Sequence, residues 1–322
     1  SAENDAPEER FGRRAAQLYR QLGYVPNEFP ESVNQSFDNA YSDFSIAKVA
    51  ESLGKEDLAK KYYEHAKNFH HLFHPEKQFM IGKDRHGIWT KNFDPINWGG
   101  DYTEGSAWQN SFSVFYDIEG LKSLYKKEGD FEKQLLDLVN QRPFFNVNTY
   151  GFEIHEMSEM AAIEFGQIAI SNQPSFHIPY LFRFSDKPEH TEILIKLLLQ
   201  KTFKRNFDAY PGDEDNGSMS AWFVFSSLGF YPFASGTGEY VLGIPYYDKV
   251  TMNLHNGQKL HIETQQNYDH FYYVKETSIN GQPHQSHVIK HHDIMKGMHI
   301  EFVLSLLPID KKDYQKPFSL SK

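Results

Sequence analysis

The chain has 322 residues, of which 39% are hydrophobic, so it can bury a full core. Its formal net charge of −10, without a basic stripe, excludes nucleic acid as an expected partner. We find no apolar run long enough for a membrane span, and residues 1–10 are acidic and lack the apolar segment of a signal peptide. The absence of cysteine excludes disulfides and thiolate metal sites, which leaves oxygen and imidazole as metal ligands, and it leaves the compartment open.

Helical periodicity runs through the first part of the chain. Apolar residues recur at three-to-four spacing in eight segments, which are residues 37–54, 56–73, 107–121, 131–139, 156–169, 175–182, 190–203 and 218–228. Helix–loop–helix units recur at intervals of roughly forty residues, as in toroids of paired helices. Long loops between them, such as residues 86–105, usually carry function in a compact helical domain.

Aromatic residues are unusually frequent, at 16% of the chain. Trp89, Trp98 and Trp108 lie close together in sequence and beside acidic residues. Their flat apolar faces and polar edges match the shape of a sugar ring, whereas core packing is the alternative for each of them.

Three loops that lead into predicted helices combine acids, amides and aromatic residues. They are residues 101–109 (DYTEGSAWQ), 155–160 (HEMSEM) and 171–177 (SNQPSFH). In a helical toroid such loops converge on one end of the axis, where we expect a pocket.

A cluster of three acids, Asp213, Glu214 and Asp215, lies on a predicted turn directly before the helix at 218–228. Pro and Gly before the acids and Asn-Gly after them favour the turn. Amide groups and the dipole at a helix N-terminus favour negative charge, which suits a general base or a cation ligand. If Glu104 faces this corner, the chain has the paired carboxylates of a glycosidase, and a separation of roughly 6.5–9.5 Å would imply inversion.

Two alternatives for the acidic corner can be weighed. A calcium-binding EF-hand loop is excluded by spacing, because the glycine falls one position early and Val224 occupies the place of the bidentate Glu. Helix capping by Asp215 or Asn216 explains one residue but not three consecutive acids.

After residue 233 the composition changes to short β-prone runs, at residues 240–244, 250–254, 259–264, 271–279 and 299–304. Asn256-Gly257 predicts a hairpin and Asn280-Gly281 a further turn. We therefore expect a small antiparallel sheet region. The His-rich stretch at 284–292 matches no metal-binding spacing, which favours solvated surface.

Four motifs, in this order and spacing, resemble glycoside hydrolase family 92, the calcium-dependent inverting exo-α-mannosidases. They are DYTEGSAWQ, HEMSEMA, SNQPSFHIPYLF and GDEDNGSMSAWFVFSSLGFYP. The resemblance implies a mainly α fold, an (α/α)6 toroid over residues 1–233, followed by a small antiparallel β-sheet region over residues 234–322. It also implies a mannose-containing oligosaccharide as substrate and a secreted, periplasmic or cell-surface location.

The resemblance carries residue roles with it. Glu104 matches the general acid, and Asp215, assisted by Asp213, matches the general base. His155 and Glu156 match a pair at the leaving-sugar subsite of α-1,2-specific members, and Trp98, Trp108 and His177 are further candidates for binding the sugar. Calcium needs oxygen ligands, for which Glu159, Asn172 and Gln173 are candidates.

Four of these residues have a structural alternative. Asn172 and Gln173 also suit a plain turn before Pro174, His155 a structural histidine, and Glu159 a charge on a helix surface.

The sequence departs from the family pattern in three ways. Near the start, the family's Ser-Arg-Thr is replaced by Asn-Gln-Ser at residues 34–36. Where the family has Asn-Glu-Pro-Ser-His-His, residues 172–177 read Asn-Gln-Pro-Ser-Phe-His, so one carboxylate becomes an amide at Gln173. The chain also resembles only the C-terminal part of family members, so the toroid is expected to be incomplete at its N-terminal side. Two outcomes are then open: the isolated chain is inactive, or the missing N-terminal half is a separate partner chain. The alternative function is a glycan-binding fragment without turnover. A polysaccharide lyase would need a basic pocket, which the acidic composition argues against.

Overall fold

The computed structural model of the protein describes residues 12–322. The described part of the chain divides into two compact units, the first made of residues 12–130, 137–169 and 319–322 and the second of residues 131–136 and 170–318. The expectation that residues 1–10 contain no signal peptide lies outside the described residues. The domain boundary expected after residue 233 stays a prediction, and residues 234–318 of the predicted β-rich region belong to the second unit.

The first unit is largely helical. Its elements are α1 (Ala16–Leu22), α2 (Ser32–Ser52), α3 (Glu56–Ala66), a 3₁₀ helix (Lys67–Leu72), β1 (Phe73–His74), β2 (Phe79–Met80), α4 (Ala107–Asn110), α5 (Ile118–Lys122), the ends of α6 (Asp130–Asn140), a 3₁₀ turn (Asn148–Tyr150) and α7 (His155–Ile163). The two helices predicted first are confirmed as α2 and as α3 with its 3₁₀ extension.

Helices α2 and α3 pack against each other because each has one apolar face. Phe37, Ala40, Phe44 and Ala47 of α2 recur at three-to-four spacing and are all buried. The ring of Phe44 stacks on Tyr116 with 4.9 Å between centroids. These contacts form the aromatic core of the first unit.

The single helix predicted at residues 107–121 is wrong, because the structure has the two short helices α4 and α5 instead. Asp117 lies between them and caps α5, accepting a hydrogen bond from the N–H of Gly120 at 3.2 Å. Its carboxylate also accepts hydrogen bonds from Ser319 and Ser321. A side chain that caps a helix favours a non-helical backbone at its own position, so the helix restarts after Asp117.

Two further helices are shorter than predicted. The helix predicted at 156–169 ends at Ile163, because Glu164 adopts a left-handed backbone with φ of 55°. Gly166 follows, and a Cβ there would lie 2.3 Å from the carbonyl oxygen of Leu138, which only glycine avoids. The segment predicted as a helix at 175–182 forms 3₁₀ turns, because Pro174 and Pro179 interrupt the pattern of helical hydrogen bonds.

The second unit combines helices with two sheets. Its elements are residues 131–136 of α6, 3₁₀ helices at Gln173–Ser175 and Ile178–Phe184, α8 (Glu189–Thr202), α9 (Ser218–Leu228), β3 (Phe230–Tyr231), β4 (Glu239–Leu242), β5 (Lys249–Asn253), β6 (Lys259–Gln265), β7 (Tyr273–Ile279), β8 (Gln282–Pro283), β9 (Val288–Lys290), α10 (His291–Ile294) and β10 (Met298–Ser305). The predicted α9 is confirmed at both ends, and the five predicted strands are confirmed to within two residues.

The larger sheet has the strand order β5-β6-β10-β7-β8 and is mixed. The expected antiparallel sheet is therefore wrong at one pairing, because β6 and β10 run parallel, with Glu301 opposite Glu263. Parallel neighbours need a crossover connection, and here the chain makes β7, β8, β9 and α10 before it returns as β10. Both predicted turns are present, at Asn256-Gly257 and Asn280-Gly281.

The prediction that the His-rich stretch at 284–292 is solvated surface is wrong for one of its histidines. His291 and His292 are exposed, but His287 is only 3% exposed and packs against Tyr314. Along residues 12–322, no helix combines the length and apolar character that a bilayer crossing requires.

Candidate active site

Glu104 lies on a tight loop of the first unit whose backbone is held from both sides. The N–H of Gly99 donates to the carbonyl of Gly105 at 3.0 Å, which closes the loop. The N–H of Glu104 donates to the Tyr150 hydroxyl at 3.1 Å. Directly after the loop, Ser106 and Gln109 form a capping box at the start of α4. The side chain of Glu104 is exposed on this fixed loop.

The backbone of Glu104 is left-handed, with φ of 43°. For a residue with a Cβ this conformation costs roughly 1–2 kcal/mol, and such outliers cluster at functional sites. The surrounding hydrogen bonds offset this cost. The geometry therefore supports a functional role for this carboxylate.

A cavity of about 520 Å³ lies beside this loop. Gly99, Gly100 and Tyr150 line it together with the carboxylates of Glu28 and Glu31. Its volume is in the range of small-molecule sites. Polar groups and a tyrosine ring in one cavity suit a hydroxylated ligand.

The two tryptophans predicted to bind sugar are buried. Trp98 is fully buried against Met157, Met160 and Ala169, so its faces are covered by protein. Trp108 is 9% exposed and meets the ring of Phe79 edge-on. The structure favours the packing alternative for both tryptophans, although a small part of Trp108 remains exposed.

His155, Glu156 and Glu159 meet at the start of α7. The Nδ1 of His155 lies 3.1 Å from Oε1 of Glu159, and its Nε2 lies 3.3 Å from Oε1 of Glu156. The imidazole is thereby held between two carboxylates while its side chain stays 55% exposed. This arrangement presents a fixed imidazole and two acids to a polar ligand.

At the corner in the second unit, Glu214 performs the helix capping. Its Oε2 accepts from the N–H of Gly217 at 2.6 Å, and its Oε1 accepts from the N–H of Ser220 at 3.1 Å. Hydrogen bonds, first from the Ser220 side chain, lower the pKa of Glu214. The capping alternative expects Asp215 or Asn216 to cap the helix. The structure shows capping at this corner, but the capping residue is Glu214. Because Glu214 caps the helix, Asp213 and Asp215 are not needed for that purpose.

The backbone at the corner is left-handed at three consecutive residues, with φ of 54° at Asp215, 57° at Asn216 and 95° at Gly217. Asp and Asn tolerate this conformation better than other residues with a Cβ. The same backbone outlier thus occurs at both carboxylates that the motifs single out, Glu104 and Asp215.

Gln173 joins two of the predicted segments within the second unit. Its Nε2 donates to Oδ2 of Asp215 at 2.8 Å. The Oδ1 of Asn172 accepts from the Gln173 N–H at 2.8 Å and caps the following 3₁₀ turn, as the turn alternative expects. The sequence does not reveal the contact between Gln173 and Asp215, although it shows that Gln173 replaces a Glu of the family motif.

His177 is 2% exposed and packs near the ring of Phe233, with 6.2 Å between centroids. A buried imidazole at this position supports the local packing of the second unit. The contact between His177 and a bound sugar stays a prediction.

The residues predicted at the two carboxylate sites belong to different units. Glu104, His155, Glu156, Glu159 and the two tryptophans lie in the first, whereas Asn172, Gln173, His177, Asp213 and Asp215 lie in the second. The expectation that Glu104 faces Asp215 stays a prediction.

The donor atoms at the corner suit a hard cation. Gln173 binds Asp215 through its Nε2, so its amide oxygen is the donor that can face a cation, and Asn172 adds a second amide oxygen. The residues present therefore fit the chemistry of calcium.

Comparison with known proteins shows which family the chain resembles. The family model described as "Glycosyl hydrolase family 92 catalytic domain" matches residues 1–306. A curated protein from Arthroderma benhamiae, described as an uncharacterized secreted glycosidase, is 21% identical over 91% of this chain.

Two solved structures from Bacteroides thetaiotaomicron are similar in fold. One is a family 92 inverting mannosidase, with a TM-score of 0.88 and 36% identity over 100% of this chain. The other is a family 92 α-mannosidase in complex with mannoimidazole, with a TM-score of 0.85 and 28% identity over 97% of this chain. The chain spans 39% of the curated relative's length and 44% and 41% of the two solved chains. By the family match along most of its length, the chain belongs to glycosyl hydrolase family 92.

Proposed function

We propose that this chain carries the catalytic carboxylates of an inverting exo-α-mannosidase that removes terminal α-1,2-linked mannose from glycans. The observation that carries the proposal is the acidic corner, where Gln173 holds Asp215 in a family 92 chain. A relative in that family is described as an inverting mannosidase. The secreted description of the curated relative supports a location outside the cytoplasm.

The proposed reaction is a single displacement. Glu104 donates its proton to the glycosidic oxygen as the bond from that oxygen to the anomeric carbon breaks. Asp215, assisted by Asp213, accepts a proton from the water that attacks the anomeric carbon from the opposite face. The released mannose has inverted configuration, and the two carboxyl groups have exchanged protonation states with each other.

The proposed substrate contacts begin with the fixed imidazole at the start of α7. His155 and Glu156 bind the leaving sugar, which is the basis for the α-1,2 linkage. The small exposed part of Trp108 and the cavity beside Gly99 and Tyr150 are further places for sugar contact in the first unit. In the second unit, His177 is the proposed contact to the sugar.

Calcium is the proposed cofactor, with Glu159, Asn172 and Gln173 as oxygen ligands. When bound, a hard cation would hold the O2 and O3 hydroxyls of mannose and favour distortion of the ring. Gln173 supplies its amide oxygen to this cation while its amide nitrogen holds Asp215. One side chain would then serve both groups.

Mannose release from α-1,2-mannobiose tests the proposal, using the complete polypeptide that contains this chain. We expect Glu104→Gln and Asp215→Asn each to lower kcat by about 10²–10⁴-fold. Glu128→Gln, which changes an exposed acid of the first unit, is the matched control and should retain full activity. A chelator should abolish release, and added Ca²⁺ should restore it.

The stereochemistry gives an independent readout. Proton NMR of the first product should show β-mannose, as inversion requires. Unchanged release by Glu104→Gln would refute the assigned acid. Calorimetric mannose binding without any release would instead favour the alternative, a glycan-binding chain without turnover.

A further inference from the structure

A second cluster of metal-ligating side chains lies on the larger sheet of the second unit. It consists of Glu263 on β6 and of His299 and Glu301 on β10. Parallel pairing places Glu301 directly opposite Glu263, and His299 lies two residues before Glu301, on the same face of the sheet. One ligand atom from each residue lies within 4.8 Å of the others.

Neighbouring strands orient the two carboxylates. Lys249 on β5 donates to Oε1 of Glu263 at 2.6 Å, and Ser278 on β7 donates to Oε2 of Glu301 at 3.1 Å. Such outer contacts fix the direction of metal ligands in known sites. The cluster is therefore held from both sides of the β6–β10 pair.

His299 supplies an independent observation. Its Nε2 is buried from solvent and makes no hydrogen bond with any of the residues that the structure describes. The nearest carboxylate oxygen, Oε2 of Glu263, lies 3.7 Å away, beyond hydrogen-bond distance. The backbone N–H of His299 donates to Oδ1 of Asn280 at 2.9 Å, which fixes the residue at the start of β10. A ring nitrogen that makes no hydrogen bond, beside two carboxylates and on a side chain that is 39% exposed, suits a metal ligand.

The donor set indicates which cation fits. Calcium and magnesium prefer oxygen ligands alone, whereas Zn²⁺ accepts imidazole nitrogen together with carboxylate oxygen. We propose that Glu263, His299 and Glu301 form a Zn²⁺ site that links β6 to β10, with water in the fourth position. Small rotations of exposed side-chain ends bring the donors to about 2.0–2.2 Å from the ion. None of these residues is a proposed calcium ligand, and the inference does not depend on the proposed mannosidase activity.

Calorimetric titration of the chelator-stripped protein with Zn²⁺, in excess Ca²⁺ to occupy oxygen-only sites, tests this site. We expect one Zn²⁺ per chain that the double variant His299→Asn/Glu301→Gln fails to bind. The single variant Glu301→Gln should bind at least about 10-fold more weakly. Glu276→Gln removes an acid from neighbouring β7 and should bind as the parent does.

A stability readout separates lost binding from misfolding. Zn²⁺ should raise the Tm of the parent and of Glu276→Gln but leave that of the double variant unchanged. In chelator, far-UV circular dichroism should show the variants folded, because they remove clustered charge. Equal Zn²⁺ stoichiometry and affinity in the double variant, or no binding by the folded parent, would overturn the proposal.

Discussion

The amide nitrogen of Gln173 donates to Oδ2 of Asp215 across 2.8 Å and joins two segments that are 42 residues apart in sequence. The amide donor engages one carboxylate oxygen, which leaves Oδ1 for the water that the proposed reaction requires. A glutamate in place of Gln173, as in the family motif, could not donate this hydrogen bond while ionised.

We predict that Gln173→Glu lowers kcat by about 10-fold, the effect of losing one hydrogen bond to a charged group. The variant keeps the side-chain length and an oxygen ligand, so the calcium requirement should remain. Steady-state kinetics on α-1,2-mannobiose measure both kcat and the calcium requirement. Unchanged or higher kcat would show that the side-chain oxygen, and not the amide donor, is what the site uses at this position.

Substitutions at Asp215 should separate the fold from the chemistry. Asn adopts the left-handed backbone readily, so Asp215→Asn should keep the free energy of unfolding within about 0.5 kcal/mol while activity is lost. Asp215→Ala should lose activity and also cost about 1 kcal/mol, because alanine disfavours this backbone. Urea unfolding of the two variants tests the difference. Equal stability of the two would contradict the strain argument.

Glu192 on α8 neutralises two buried cations in the second unit. Its Oε1 accepts from Arg183 at 3.1 Å and from Lys311 at 2.6 Å, and its Oε2 accepts from the N–H of Val274 at 2.8 Å. All three charged side chains are at most 5% exposed. Removing the carboxylate would leave two buried positive charges without an anion.

We therefore predict that Glu192→Gln lowers the free energy of unfolding by about 3–5 kcal/mol. Lys311→Met should cost less, because the ion pair between Arg183 and Glu192 survives. Glu189→Gln, in the first turn of the same helix, should cost less than about 1 kcal/mol. Denaturant titrations measure all three, and a Lys311→Met variant less stable than Glu192→Gln would contradict the argument.

His287 should make the protein sensitive to acid. Burial lowers the pKa of His287 from 6.5 to about 2, and the positive charges of Arg183 and Lys311 add to this effect. Between these pH values the unfolded chain binds a proton that the folded chain does not, so stability is present above pH 6.5 and is lost as the pH falls. The slope from this one group is about 1.4 kcal/mol per pH unit.

The variant His287→Gln removes this proton uptake. We expect its free energy of unfolding to fall less steeply between neutral and mildly acidic pH than that of the parent. His292→Gln, at an exposed histidine, is the control and should keep the parent slope. Identical slopes for the parent and His287→Gln would rule out His287 as the source of acid sensitivity.

Local sequence signals predicted most of the elements. Capping and stop signals placed α9 at both ends, and alternating apolar residues placed the strands, because these depend on neighbouring residues. The helix predicted through Asp117 failed because Asp117 caps a new helix, and Ser319 and Ser321 also bind its carboxylate from the far end of the sequence. No local pattern shows such a contact.

The sequence predicts which residues belong to the candidate site, but it does not predict which of them contact each other. Glu104 and Asp215 stood out through their sequence surroundings, and their left-handed backbones emerged only with the structure. The Glu263 cluster was missed because two of its members lie more than thirty residues from the third and meet only through an unexpected parallel pairing. Strand order depends on packing across the whole sheet.

Strand β10 lies in the centre of the five-stranded sheet although it is the last strand made. During synthesis, β5-β6 and β7-β8 can therefore exist only as separate two-stranded ribbons, which are marginally stable in water. The sheet is completed once residue 305 has left the ribosome, and a premature stop before residue 298 would leave two exposed strand edges open to aggregation.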